Sequence, residues 1–160
     1  MISPTLAKHL RENHEEVMRR WLENLHGHIA DDFEQMLKTP MGSGVANKLL
    51  NCAIDFLEAE DYQKADVLHG VRDIASDASF RRTAVGFGLP DIVATAIAFR
   101  LALQETLLEG TARGSVENER ALTDVVMAIN ELGDVLVSGE IAGYFAYNNY
   151  REDKADEDAA

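Results

Sequence analysis

The chain has 160 residues, of which 28 are acidic and 15 are basic, so its formal net charge is −13. This charge argues against nucleic acid and anionic membrane as partners, because both are bound through clustered Lys and Arg. The single cysteine, Cys52, excludes an intrachain disulfide and suits a reducing compartment. Met1 is followed by no basic-then-apolar leader, and no apolar run reaches the roughly 18 residues of a membrane helix. We therefore expect one cytoplasmic domain.

Sparse proline and glycine, together with apolar residues at helical spacing, predict an all-α bundle of five to six helices. Ser3 and Pro4 predict the start of the first helix, since Ser can cap and Pro suits the first helical position. Asp61 or Asp66 is a candidate cap for a later helix. Turns are predicted over 39–44, 86–91 and 110–114. The predicted helices cover residues 3–25, 28–38, 45–60, 61–85, 91–109 and 116–151.

The last of these helices, capped by Ser115, is predicted to be unusually long. About 35 residues at 1.5 Å each span roughly 52 Å, which is more than a compact domain of this size needs. Residues 152–158 carry five acids and one lysine and no apolar anchor. The sequence therefore predicts a helical domain over 1–151 and a disordered acidic tail over 152–160.

Three residues are candidates for binding a small ligand inside the bundle. Arg100 stands in the most apolar stretch of the chain, where a guanidinium must either reach solvent or find a carboxylate. Its alternative role is a structural ion pair, with Asp55 or Glu131 as possible partners. Trp21, the only tryptophan, can fill the core or line a pocket. His69 lies beside a glycine in a predicted helix and is the third candidate.

Small residues near the end of the long helix predict a dimer interface. Gly139 and Gly143 are spaced so that two helices can approach closely, and aromatic residues that include Phe145 and Tyr147 crowd the same end. The alternative is that this stripe packs within its own bundle.

Metal, haem and enzyme chemistry have weaker support. Glu23 and His26 have the spacing used by di-iron bundles, but such a site needs a second Glu-x-x-His motif, and Asp66 with His69 is only an approximate copy. A haem or metal sensor using these residues stays open as an alternative. Cys52 lies among apolar residues, where a thiol is usually inert. The sequence has no nucleophile elbow and no phosphate loop, so we expect no enzyme, no cofactor and no metal, with a small helical enzyme kept as a further alternative.

Three segments resemble the N-terminal helical domain of RsbRD-type co-antagonists of the general-stress sigma factor pathway. They are Trp21-Leu22-Glu23, residues 81–89 (RRTAVGFGL) and residues 90–103 (PDIVATAIAFRLAL). The order and spacing of the similar segments extend over about residues 15–140.

The resemblance implies an all-α regulatory input domain that is often dimeric and has no chemistry of its own. Such domains usually pass their signal through the last helix to a C-terminal output domain, for which this sequence has no room. We therefore expect a bacterial signal-sensing domain that acts through protein association, as a homodimer or with a signalling partner. A small ligand inside the bundle would act by shifting the population of two helix arrangements. Whether the chain stands alone or is a fragment of a larger signalling protein stays open.

Overall fold

The computed structural model describes residues 4–111 and 119–160, and these form an all-α bundle with a long C-terminal helix, as predicted. Over those residues the structure has seven helices, where five to six were expected. The helices are α1 (Pro4–Glu12), α2 (His14–Glu23), α3 (His28–Leu37), α4 (Pro40–Glu58), α5 (Asp61–Ala84), α6 (Leu89–Gly110) and α7 (Glu119–Ala159). The predicted caps Ser3 and Ser115, and most of the predicted 110–114 turn, lie outside the described residues.

The additional helix arises because the predicted first helix is interrupted at Asn13. The Asn13 side-chain amide donates a hydrogen bond to the backbone carbonyl of His9 at 2.8 Å. Asparagine side chains compete in this way for carbonyls that a continuing helix would use. The apolar stripe nevertheless continues across the break, since Leu10 on α1 and Val17 on α2 are both fully buried.

α4 and α6 begin earlier than the sequence predicts, α6 at Leu89 instead of residue 91, and α5 has a different cap from the predicted ones. α4 starts at Pro40 rather than after a loop ending at residue 44, with Thr39 as its cap: the Thr39 hydroxyl accepts a hydrogen bond from the Gly42 amide at 3.0 Å. α5 is capped by Glu60 in a reciprocal capping box with Gln63, not by Asp61 or Asp66. In both places the cap lies just before the first helical residue, as capping chemistry requires. The predicted break at Gly27 is present, with φ of +67°.

The long helix α7 packs mainly along α5 and also against α6. α2 also packs against α6, and α1 lies against α4. The 41 residues of α7 span roughly 60 Å. From Asn149 onward every residue of α7 is exposed, so its last turns extend beyond the packed bundle.

The acidic tail differs from the predicted disorder. Residues 152–159 are helical in the structure and continue α7 without a break. Alanine, glutamate and lysine favour helix, which accounts for the continuation, although no apolar residue anchors these turns.

Candidate functional site

A buried ion pair joins α5 to α7. Arg82 on α5 is 5% exposed and Glu140 on α7 is 1% exposed, and the guanidinium donates a hydrogen bond to the Glu140 carboxylate. Arg82 Nε also donates to the Ala78 carbonyl at 3.3 Å. The Ser79 hydroxyl donates to the backbone carbonyl of Glu140 at 2.5 Å. Buried charges are retained only when they are paired and hydrogen-bonded, and this pair meets both conditions.

Thr95 on α6 connects this pair to Trp21. The Thr95 hydroxyl accepts a hydrogen bond from Arg82, lies 3.4 Å from Glu140 Oε2, and donates to the Ile92 carbonyl at 2.7 Å. The backbone carbonyl of the same residue accepts a hydrogen bond of 2.9 Å from the Trp21 indole. We call Arg82, Glu140, Thr95 and Ser79 the Arg82 cluster. Through Thr95 it links four helices: α2, α5, α6 and α7.

The two charges of the Arg82 cluster act on each other in a dry environment. Burial raises the pKa of the Glu140 carboxyl, while the charge of Arg82 and the hydrogen bonds from Arg82 and Thr95 act to lower it. Because desolvation is the larger cause, the ionised form of Glu140 depends on Arg82 remaining in place.

A cavity of about 90 Å³ lies directly beside the Arg82 cluster, between α2, α3, α4 and α5. We call it the Trp21 cavity. The Trp21 ring forms one wall and packs against Phe33 and Phe99, with ring centroids 4.9 and 4.5 Å away. Most of the lining is apolar. The lining residues are Trp21, Phe33, Met36, Leu37, Thr39, Met41, Gly42, Val45, Ala46, Leu49, Ala78, Arg81 and Arg82.

The polar groups on the cavity wall have partners within the chain. The Trp21 indole donates to Thr95, Arg82 is held by Glu140, and the Thr39 hydroxyl both accepts from Gly42 and donates to the Met36 carbonyl. The exception is Arg81, whose exposed side chain makes no ion pair with any residue over 4–111 and 119–160. The site is therefore an apolar pocket whose lining includes one ion-paired arginine and, as far as the described residues show, one arginine without an ion pair.

Arg100 occupies a different place from the one predicted. It lies on the face of α6 turned toward α7, where Gly133 leaves room for its side chain: a Cβ at residue 133 would overlap Arg100 Cδ. In the described part of the chain it pairs with neither Asp55 nor Glu131, and its Nε is buried with no hydrogen-bond partner there. It lines a shallow groove between α6 and α7 together with Asp134.

The three predicted ligand residues do not converge. Trp21 lines the cavity, Arg100 lines the separate α6–α7 groove, and His69 is exposed on α5, 3.4 Å from Asp73. Of the three, Trp21 alone lines the largely apolar cavity between α2, α3, α4 and α5.

The predicted metal and nucleophile candidates are separated from one another. Glu23 pairs with Arg19 on the helix surface, and His26 is exposed. Among the described residues, no group of three His, Cys, Asp or Glu side chains is arranged to hold a metal ion. Burial, and then the charge of Asp55, raise the pKa of the half-buried Cys52 thiol, which lowers its thiolate content and its reactivity.

The small-residue stripe on α7 packs within the chain. Gly139 and Gly143 are both buried against α5, and a Cβ on Gly143 would overlap the Ser76 carbonyl oxygen. Tyr147 packs edge-on against Phe80 of α5, with centroids 5.3 Å apart, whereas Phe145 is 52% exposed. The glycines therefore bring α5 and α7 together, and Phe145 is the one of these four residues that presents a large apolar surface.

Sequence reasoning missed Arg82 and Glu140 as a pair. The available signal was a positive charge at a core position of α5 and a negative charge at a core position of α7, each on a helix face made otherwise of apolar or small residues. On α5 the buried positions are Val71, Ala75, Ala78, Ser79, Arg82 and Thr83. On α7 Glu140 follows Gly139 directly. Two opposite charges at such positions predict a buried pair.

No protein-family model, curated protein or solved structure matches the chain. In the described residues, no helix is long and apolar enough to cross a membrane.

Proposed function

We propose that this chain is a regulatory domain that acts through protein association and whose state is set by a small molecule in the Trp21 cavity. The main support for the proposal is that Arg82 both lines the cavity and pairs with Glu140 of α7. An occupant that shifts the Arg82 side chain must disturb the ion pair. The cavity is thereby coupled to the longest helix of the molecule.

The coupling acts by population shift. A ligand changes an equilibrium only by its difference in affinity for two arrangements. Gly139 and Gly143, one residue before and three residues after Glu140, bring α7 into close contact with α5. A change in the ion pair therefore alters how α7 packs on α5, and the exposed last turns of α7 carry that change to the surface. The resemblance to RsbRD-type input domains supports the same proposal.

Self-association is proposed to use the surface where α6 and α7 lie side by side. We call this surface, with its exposed Ile97, Leu101, Leu108 and Val126, the α6–α7 face; each of these side chains is 39–52% exposed. Arg100 and Asp134 share one groove on it, and neither has an ion-pair partner in the described chain. A two-fold axis places the same patch of both protomers in contact, so Arg100 of each copy can meet Asp134 of the other.

The test is to fill the cavity by mutation and measure self-association. Ala78→Leu adds a side chain to the cavity wall and stands in for an occupant without requiring its identity. We expect the dimer dissociation constant, measured by sedimentation equilibrium, to shift at least about fivefold, the lower end of ordinary allosteric couplings. Ala65→Leu, on the exposed side of the same helix, is the matched control and should leave the constant unchanged.

The surface is tested in the same measurement. Leu101→Glu puts a charge on the α6–α7 face and should give a monomer, whereas Tyr62→Glu, at an 80% exposed position on α5, should still associate. A wild-type chain that is monomeric at all concentrations contradicts the association surface. An unchanged constant in Ala78→Leu, with the fold intact by circular dichroism, contradicts the coupling.

A further inference from the structure

We infer that the Trp21 cavity selects a small uncharged apolar molecule, about the size of one aromatic ring. The inference rests on the proposed function and names the ligand class of the same site. Three features of the cavity carry it: its size and lining, the state of its polar groups, and the charges around it.

Size and lining favour a compact apolar ligand. A volume of about 90 Å³ limits the ligand to about the size of one aromatic ring. Met36 and Met41 are part of the lining, where their side chains can move to fit it. Methionine side chains are flexible and polarizable, so they adjust readily around small apolar groups. Trp21 and Phe33 supply aromatic walls.

The polar groups offer a ligand almost no new hydrogen bonds. Trp21, Thr39 and Arg82 already have partners within the chain. Away from the exposed Arg81, a polar ligand group would lose its water and gain no partner in return, which is unfavourable. An apolar ligand has no hydrogen bonds to water to lose on entering the same space, and removal of its surface from water is favourable.

The charges around the cavity disfavour ions of either sign. The charge of Arg82 is already matched by Glu140, so an anion inside would compete with an existing buried pair. A cation inside would face Arg81 and Arg82 together. Arg81 is exposed to water, where an ion pair with a ligand adds little to affinity.

The experiment compares three probes of the same shape and different charge at neutral pH: toluene, benzoate and benzylamine. Trp21 is the only tryptophan in the chain and lines the cavity, so its fluorescence reports occupancy directly. We expect toluene to change the emission saturably, with a dissociation constant at least tenfold below those of benzoate and benzylamine. Ala78→Leu should abolish the toluene signal, and Ala65→Leu, which lies outside the cavity, should retain it.

Other outcomes overturn the inference in distinguishable ways. Benzoate binding as tightly as toluene, with loss of that binding in Arg81→Gln, overturns the uncharged class and leaves the proposed function standing. A non-saturable change with toluene overturns the site. No binding by any probe, together with no effect of Ala78→Leu on self-association, overturns the proposed function as well. If Ala78→Leu does not fold, Ala46→Val fills the cavity from α4 and serves in its place.

Discussion

Replacing Arg82 with methionine should lower the free energy of unfolding by about 3–5 kcal/mol, because it leaves the Glu140 carboxylate buried without its partner. Glu140 is 1% exposed and cannot reach water in the folded chain. With Arg82 absent, burial alone acts on Glu140, so its folded-state pKa rises further above that of the unfolded chain. Stability of the variant then falls as pH rises through that pKa. The deficit against wild type should therefore be smaller in acid than at neutral pH, as urea unfolding at both pH values will show.

Two further variants distinguish the loss of the Arg82–Glu140 ion pair from other effects of substitution in this region. Arg81→Met, one residue away but exposed, should change stability by no more than about 0.5 kcal/mol. The double variant Arg82→Met with Glu140→Leu should recover most of the loss, since replacing both partners of a buried pair with apolar groups is often neutral. A double variant as unstable as Arg82→Met would show that the loss comes from packing and not from an unpaired charge.

Gly143→Ala is expected to destabilise the chain by about 2 kcal/mol, although alanine is the better helix former. The added Cβ would overlap the Ser76 carbonyl oxygen of α5, which belongs to the backbone and cannot rotate away. The two helices must then separate where Glu140 meets Arg82. Thermal or urea unfolding measures the loss.

The matched control is Gly70→Ala on α5. Gly70 is also inside a helix, but a Cβ there meets nothing within 4 Å, so the substitution should stabilise the chain by up to about 1 kcal/mol. A similar change in both variants would contradict the close α5–α7 approach on which the coupling depends.

Much of the fold could be predicted from the sequence because helix periodicity is a local signal. The stripe from Leu10 through Val17 to Trp21 predicts a buried face, and all three are buried. The break at Asn13 was missed because it depends on one side chain competing for a carbonyl. The start of α4 was missed because glycines at 42 and 44 favoured a loop over the Thr39 cap and Pro40.

The site was harder to predict because it depends on contacts between residues far apart in sequence. The apolar neighbours of Arg100 along the chain made it a candidate ligand residue inside the bundle. In the structure it lies on the α7-facing side of α6, where Gly133 leaves space for it. Arg82 and Glu140 are 58 residues apart, so their pairing is indicated only by opposite charges at core positions of two separate helices and not by a local motif. Trp21 lines the cavity, because a single large aromatic at a core position can serve both packing and a cavity wall; its role in ligand binding stays a prediction.

In the proposed function, the Trp21 cavity is coupled to α7 through Arg82 and Glu140. Hydrogen exchange, measured amide by amide in wild type, Ala78→Leu and the Ala65→Leu control, tests it most directly, because exchange reports local opening free energies along each helix. We expect that filling the cavity changes exchange rates on α7 around Glu140 by at least about fivefold, corresponding to about 1 kcal/mol, while α1 is unaffected. Changes confined to α3 and α4, the helices that line the cavity, with α7 identical to wild type, would contradict it.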